Sequence, residues 1–283
     1  MASIVWTLVP KQMDDYKRQV VKFFNQRTAY DQEGPRHPHE ADLLLKSVAL
    51  QENHRVLDVA TGTGLIAIPA AHKVGPGGHV VGVDLSAGML EQARRKVEAT
   101  RIQNIEFIEA DASSIHFNDN SFDVIFCCSA ITYLPDLPAT LQKWYRFLKP
   151  GGLVAFTCPA ETAYLAPIQV KVCAELFNIP LPHINAPLGT AEKCHNLPLQ
   201  TGFSDIQVQI EASGQYLSLS DRRLWWNGDG FYPRGNPISQ LSEHQLEQLQ
   251  TEFRVEVEQL AVKEGVWQDM TTFFVRARKN TTV

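Results

Sequence analysis

Five short apolar runs, RVLDVA, HVVGVD, NIEFIE, FDVIFCC and GLVAFTC, recur in order between Arg55 and Cys158, and helical patterns fill the gaps between them. Each run is apolar enough to be buried on both faces, as parallel strands are. The intervening helices are expected to hold about 10 to 15 residues. In the clearest, from Asp136 to Leu148, Leu137, Leu141, Trp144, Tyr145 and Leu148 fall at helical spacing. KPGG should end it, because proline cannot continue a helix and glycine supplies the turn. Strands alternating with helices imply right-handed βαβ units and an α/β fold with a doubly wound parallel sheet.

Further strands are expected at DIQVQIEA and MTTFFVRARK. Upstream, an amphipathic helix over 11–26 carries Met13, Tyr16, Val20 and Phe23, a polar loop follows, and a second helix spans 40–50. Downstream, 161–178 reads as a helix, IPLPHINAPLG as a proline-rich connection and 191–200 as another helix. The last two strands are separated by an insertion of roughly fifty residues. It holds DRRLWWNGDGFYPRGNP and a helix opened by a capping box, Ser242 to Gln245, which should bury Leu246, Leu249, Phe253, Val257 and Leu260. There is no internal repeat.

Composition excludes several classes. With 283 residues, 44% of them hydrophobic, the chain can bury a sizeable core. A net charge of -5 lacks the basic balance of a nucleic-acid binder. The apolar run IVWTLV is too short for a signal-peptide core or a membrane span, so a cytoplasmic protein without membrane insertion is expected. Cys127, Cys128, Cys158, Cys173 and Cys194 form no C-x-x-C pair and no zinc spacing, so they are expected to be reduced thiols, with no metal site.

The stretch VLDVATGTGLIAI is open to two chemistries. Gly62, Gly64 and Ala67 satisfy the G-x-G-x-x-G/A spacing of a dinucleotide loop, and Asp84 stands where a ribose-binding acid belongs. Such a loop binds a doubly charged pyrophosphate through backbone N–H groups and a helix N-terminus. Asp58, inside the strand, would add negative charge beside that ligand. S-adenosylmethionine reverses the sign, because it carries a sulfonium, an ammonium and no phosphate. Asp58 then attracts the ammonium, and Asp84 can accept hydrogen bonds from both ribose hydroxyls.

The segments VLDVATGTG, VVGVDLSAGML, IEFIEADAS, NSFDVIFCCSAITYL and LKPGGLVAF, in that order, make the run from Val56 to Phe156 resemble a class I S-adenosylmethionine-dependent methyltransferase of the ubiquinone/menaquinone-biosynthesis type. The resemblance implies a seven-stranded, mostly parallel, Rossmann-like sheet. It divides the chain into an N-terminal helical lid (1–50), a cofactor-binding core (51–160) and the rest of the same domain (161–283), with acceptor-binding insertions at about 161–190 and 216–266. By the same resemblance, Asp58 and the backbone of Ala60, Gly62 and Gly64 hold the methionine moiety. Asp84 and Leu85 meet the ribose side, Met89 packs on the adenine, and Asp111 with Ala112 meets the adenine amino group. Ser129 lines the methionine and acceptor side, and Tyr30 closes over the cofactor.

The motif expected after the fourth strand of amino methyltransferases acting on nucleic acid, Asn/Asp-Pro-Pro-aromatic, is replaced here by CSAITY. A small O, N or activated C acceptor is therefore expected. Tyr133, Tyr164, Trp225, Trp226, Phe231 and Tyr232 are candidates for an apolar acceptor pocket. If the acceptor must lose a proton, a histidine is the natural base. His37 and His39 in the lid and His183 in the proline-rich connection are the candidates, with His37 preferred beside Tyr133. The competing readings are a nicotinamide-dependent oxidoreductase and a non-catalytic module that binds the same cofactor.

Overall fold

A computed structural model describes residues 6–8 and 13–281 of the protein. In chain order the elements are β1 (Trp6–Leu8), α1 (Asp15–Asn25), α2 (Arg36–Lys46), β2 (Arg55–Val59), α3 (Ala67–Val74), β3 (His79–Asp84), α4 (Ala87–Glu98), β4 (Ile105–Glu109), β5 (Ile115–Phe117) and β6 (Phe122–Cys127). They continue with α5 (Leu137–Phe147), β7 (Leu148–Pro159), α6 (Ala166–Phe177), α7 (Ala191–Gln200), β8 (Ser204–Glu211), β9 (Gly214–Leu217), α8 (Glu243–Gln259), β10 (Val266–Asp269) and β11 (Thr272–Arg278). Part of the apolar run IVWTLV and residues 11 and 12 of the expected first helix lie outside the described residues.

Seven strands form the expected sheet in the order β4-β3-β2-β6-β7-β11-β8. Only β11 runs against its neighbours, pairing antiparallel with β7 and β8. The chain builds outward from β2 through β3 to β4, then returns to place β6 on the other side of β2. The carboxyl ends of β2 and β6 therefore flank the crevice where open α/β sheets bind ligands.

One core lies between the sheet and α5, where Leu141, Trp144 and Phe147 meet Phe122, Ile125 and Phe156. The opposite face of the sheet packs on α2 and α3 through Leu44, Ala67, Ala70 and Val74. Full burial of each large apolar side chain stabilises by about 1.5–3 kcal/mol. A third cluster joins α6 to α8 through Val172, Leu249, Phe253 and Val257 and belongs to the insertion. Two small sheets, β1 with β5 and β9 with β10, had no counterpart in the sequence reading. No helix among the described residues is long and apolar enough to cross a membrane.

Three local expectations are corrected. The second helix begins at Arg36, not residue 40, because Pro38 fits within a first helical turn where its missing N–H costs nothing. His37 and His39 thus stand on α2 and not in a loop. The expected helix over 161–178 is interrupted, since Tyr164 and Leu165 take left-handed φ values of 59° and 60° before α6 starts. Leu260 is 51% exposed, because α8 ends at Gln259 and the chain turns away from the core.

Candidate active site at the strand ends

The loop after β2 is shaped by two carboxylates. Asp58 is 1% exposed; its Oδ2 accepts from the Thr61 hydroxyl (2.6 Å) and the Ala67 N–H (3.1 Å), which ties the strand to α3. Asp84, at the end of β3, accepts from the Gly62 N–H through Oδ2 (2.8 Å) and from the Ser86 N–H through Oδ1 (2.8 Å). The loop turns through positive φ at Ala60 (54°) and Gly62 (55°), a conformation that costs glycine nothing and other residues about 1 kcal/mol or more. Burial raises the pKa of both carboxyls, Asp58 to about 7, with its hydrogen bonds from Thr61 and Ala67 opposing the shift.

Tyr30, His37, Asp58, Ala60, Gly62, Asp84, Leu85, Met89, Asp111, Ala112, Ser129 and Tyr133 all line one cavity above these strand ends. Gly64 does not. A Cβ at Gly64 would come within 2.9 Å of the Ile68 side chain, so this glycine lets the loop pack on α3. Asp111 is already engaged: its Oδ2 accepts from Lys17 Nζ (2.7 Å) and the Ser113 hydroxyl (2.8 Å). Burial would raise its pKa, but the hydrogen bonds from Lys17 and Ser113 outweigh that and hold it below the usual carboxylate range.

The cavity is roofed by the N-terminal segment. Besides the Lys17–Asp111 pair, Asn25 Oδ1 accepts from the Ser86 hydroxyl (2.7 Å) and the Gly88 N–H (2.9 Å). Asp31 accepts from the Thr63 hydroxyl and from Lys96 Nζ (2.6 Å). The Tyr16 hydroxyl donates to the Tyr133 carbonyl (3.0 Å). Rings continue the roof: Phe24 meets Tyr133 edge-on at 5.7 Å, and Tyr133 meets Phe231 at 5.1 Å.

At the end of β6, Ser129 takes a left-handed φ of 52°; its N–H donates to the Thr157 hydroxyl (2.7 Å) and its own hydroxyl to Glu40. Glu40, on α2 and 4% exposed, also accepts from Arg36 Nε (2.7 Å) and the Thr272 hydroxyl (3.1 Å). His37 stacks on Tyr30 with ring centroids 5.0 Å apart, and its buried Nδ1 has no hydrogen-bond partner. Burial, reinforced by the Arg36 charge, lowers the His37 pKa.

The other candidates fall elsewhere. His39 is exposed and faces Glu211 at 3.9 Å. His183, pushed down to about 4 by burial and then by the Arg234 charge, accepts from the Asn185 N–H through Nδ1 and lies outside the cavity. Tyr232 is buried in the α6–α8 cluster, while Tyr164, Trp225 and Trp226 line an adjacent cavity. Cys127, Cys158, Cys173 and Cys194 are buried thiols and Cys128 is half-buried; none is paired. Sequence reasoning missed Lys17, Asp31 and Glu40. The signal for Lys17 and Glu40 was a charged residue on the apolar face of an amphipathic helix, where burial demands a partner.

The sequence of residues 56–152 matches the family model described as a methyltransferase domain. A demethylmenaquinone methyltransferase of Listeria monocytogenes is 40% identical over 111 residues, 39% of this chain and 47% of the relative. The chain thus matches about half the length of these curated relatives. An aklanonic acid methyltransferase of a Streptomyces species is 34% identical over 154 residues, 54% of this chain and 70% of the relative. The solved YcgJ protein of Bacillus subtilis shares the fold, with a TM-score of 0.58 at 20% identity, over 86% of this chain and 99% of that one. A phosphoethanolamine N-methyltransferase of Haemonchus contortus, solved with S-adenosylhomocysteine, has a TM-score of 0.54 at 22% identity, over 86% of this chain and 52% of that one. With its ordered strand-end motifs, its seven-stranded sheet and these relatives, the chain belongs to the class I S-adenosylmethionine-dependent methyltransferases.

Proposed function

We propose that this protein transfers the methyl group of S-adenosylmethionine to an O, N or activated C atom of a small, largely apolar or aromatic acceptor. The observation that carries this reading is the charge of the cavity. Asp58, Asp84 and Asp111 line it, and the one lysine among the described residues that line it, Lys17, is already paired with Asp111. A pyrophosphate would meet these carboxylates and, among the described lining residues, no uncommitted lysine or arginine to offset them, whereas a ligand with an ammonium and a sulfonium is attracted by them. This disfavours the nicotinamide reading.

Asp58 would hold the methionine ammonium, directly or through water, and Asp84 the ribose hydroxyls, with Gly62 and Leu85 framing the approach. Met89, 1% exposed, and Ala112 give the adenine an apolar seat. When bound, S-adenosylmethionine supplies a methyl group already activated for in-line displacement. The chain's part is then proximity, alignment and exclusion of water. Tyr30 and Tyr133 close the roof. His37, which lines the cavity, whose buried Nδ1 has no hydrogen-bond partner and whose pKa is lowered by burial, would take the proton of a hydroxyl or carbon acceptor. An amine acceptor would need only an aimed lone pair.

The relatives named for demethylmenaquinone support a quinone-type acceptor. We assign the protein no nucleic-acid partner and place it in the cytoplasm, in keeping with its five unpaired cysteines. The test is transfer of a labelled methyl group to quinols, phenols and indoles. Labelled product from any of them is expected. Tight cofactor binding without turnover across the series would instead favour a non-catalytic module.

A further inference from the structure

The second cavity, beside the cofactor cavity, is walled by Tyr164, Trp225 and Trp226 and shares His37 with it. Among the described residues, two buried side-chain polar atoms lack any hydrogen-bond partner: His37 Nδ1 and the Tyr164 hydroxyl. Both residues line this second cavity. A buried donor or acceptor left unpaired costs about 1–3 kcal/mol, so two at one place point to a missing partner.

The charges lining the same cavity narrow what that partner is. Glu33 is engaged by Arg27 (Nε at 2.8 Å), Asp229 by the Asn227 amide (2.7 Å), and Arg223 by Asp221 (2.6 Å). Arg36 differs. Its Nε is taken by Glu40, but its two terminal amino groups make no hydrogen bond to any described residue, and its guanidinium lies 4.9 Å over the Tyr164 ring. Glu33 and Asp229 keep acceptor oxygens of their own, so the uncommitted cationic donors of the cavity are the terminal amino groups of Arg36, which shares the wall with two indoles that offer a flat apolar face. Guanidinium with a phenolic hydroxyl is a pairing suited to an anionic oxygen.

Resting on the methyltransferase reading above, we propose that this second cavity is the acceptor site, and that it selects an aromatic acceptor carrying an anionic oxygen, held by Arg36 and Tyr164 against Trp225 and Trp226. His37, on the wall between the two cavities, is then the point where acceptor and methyl donor meet. The Tyr164 hydroxyl is shielded from water in the structure, so the acceptor reaches it with a shift of the side chains around the ring.

The experiment is a binding series with hydroxynaphthoate, its methyl ester and naphthol, titrated into the full chain with and without S-adenosylhomocysteine. Hydroxynaphthoate is expected to bind at least about tenfold more tightly than the ester or naphthol, the size of one charge-assisted hydrogen bond. Tyr164→Phe, which keeps the ring, should shrink that ratio while the affinity for S-adenosylhomocysteine stays put; Arg36→Gln should shrink it as well, and Arg36→Lys should restore part of it. Equal affinities for acid and ester, or a preference that survives both variants, overturns the proposal. Failure of the methyltransferase reading would register separately, as absent binding of S-adenosylhomocysteine, while the series without it still decides the charge preference.

Discussion

Asp58 is a carboxyl kept partly protonated by its burial, and a cationic ligand should draw the proton off. Its unfolded pKa is near 3.9 and its folded value about 7, so the stabilising effect of this group is complete below about pH 4 and is lost as pH rises to about 7. Binding of an ammonium favours the ionised form. Affinity for S-adenosylmethionine should therefore rise with pH up to about 7 and then level, with proton release below that point. Calorimetry in buffers of different ionisation enthalpy measures this directly, and Asp58→Asn should flatten the profile. At Asp84 the expectation is a loss of affinity. Asp84→Ala removes charge-assisted hydrogen bonds worth roughly 1.5–3 kcal/mol each, so a folded variant should bind S-adenosylhomocysteine about tenfold more weakly or worse. His37→Asn should cut kcat by roughly 10²–10⁴ for a hydroxyl acceptor and leave cofactor affinity in place. A near-normal rate would assign the reaction to proximity alone. Asp58 and Asp84 were legible in the sequence because they sit at strand ends beside a glycine loop, a local pattern. Glu40 was not, because its partners Ser129 and Thr272 come from distant strands.

While α2 packs into the core through Leu44 and Leu45, α1 is held by polar and ring contacts, and among its residues only Lys17 is buried. A segment with little buried apolar surface opens at low cost, so α1 and the turn around Tyr30 suit a gate over the cavity. Hydrogen exchange should show added protection over Asp15–Asn25 and Tyr30 on binding S-adenosylhomocysteine. Lys17→Gln, which breaks a pair of side chains 8% and 18% exposed, should raise exchange in the free protein and weaken ligand affinity. Unchanged exchange in both comparisons contradicts the gate. The main elements were legible where one physical pattern decides them: doubly buried strands, the helix of Leu141 and Trp144, the capping box at Ser242. Boundaries failed where tertiary contact competes with local preference, as at Arg36, where proline was read as loop, and at Tyr164, whose left-handed backbone no sequence pattern announces. The hairpin of β9 and β10 closes across the whole insertion, so its pairing was invisible locally.

At the scale of the molecule, the sheet order places one crevice between β2 and β6, and the N-terminal segment and the insertion both reach it. Among the described residues, three carboxylates and one committed lysine give that crevice an acidic lining. Such a lining distinguishes a cationic methyl donor from an anionic dinucleotide more sharply than the glycine loop does, since both ligand classes use such a loop. A thermal-unfolding series with S-adenosylmethionine, S-adenosylhomocysteine and NADPH tests this choice directly. Ligand at about a hundredfold its Kd stabilises by about 2.7 kcal/mol, so S-adenosylmethionine and S-adenosylhomocysteine should each raise Tm by about 4–5 °C while NADPH leaves it unchanged. A shift with NADPH and none with either sulfur ligand would contradict the account.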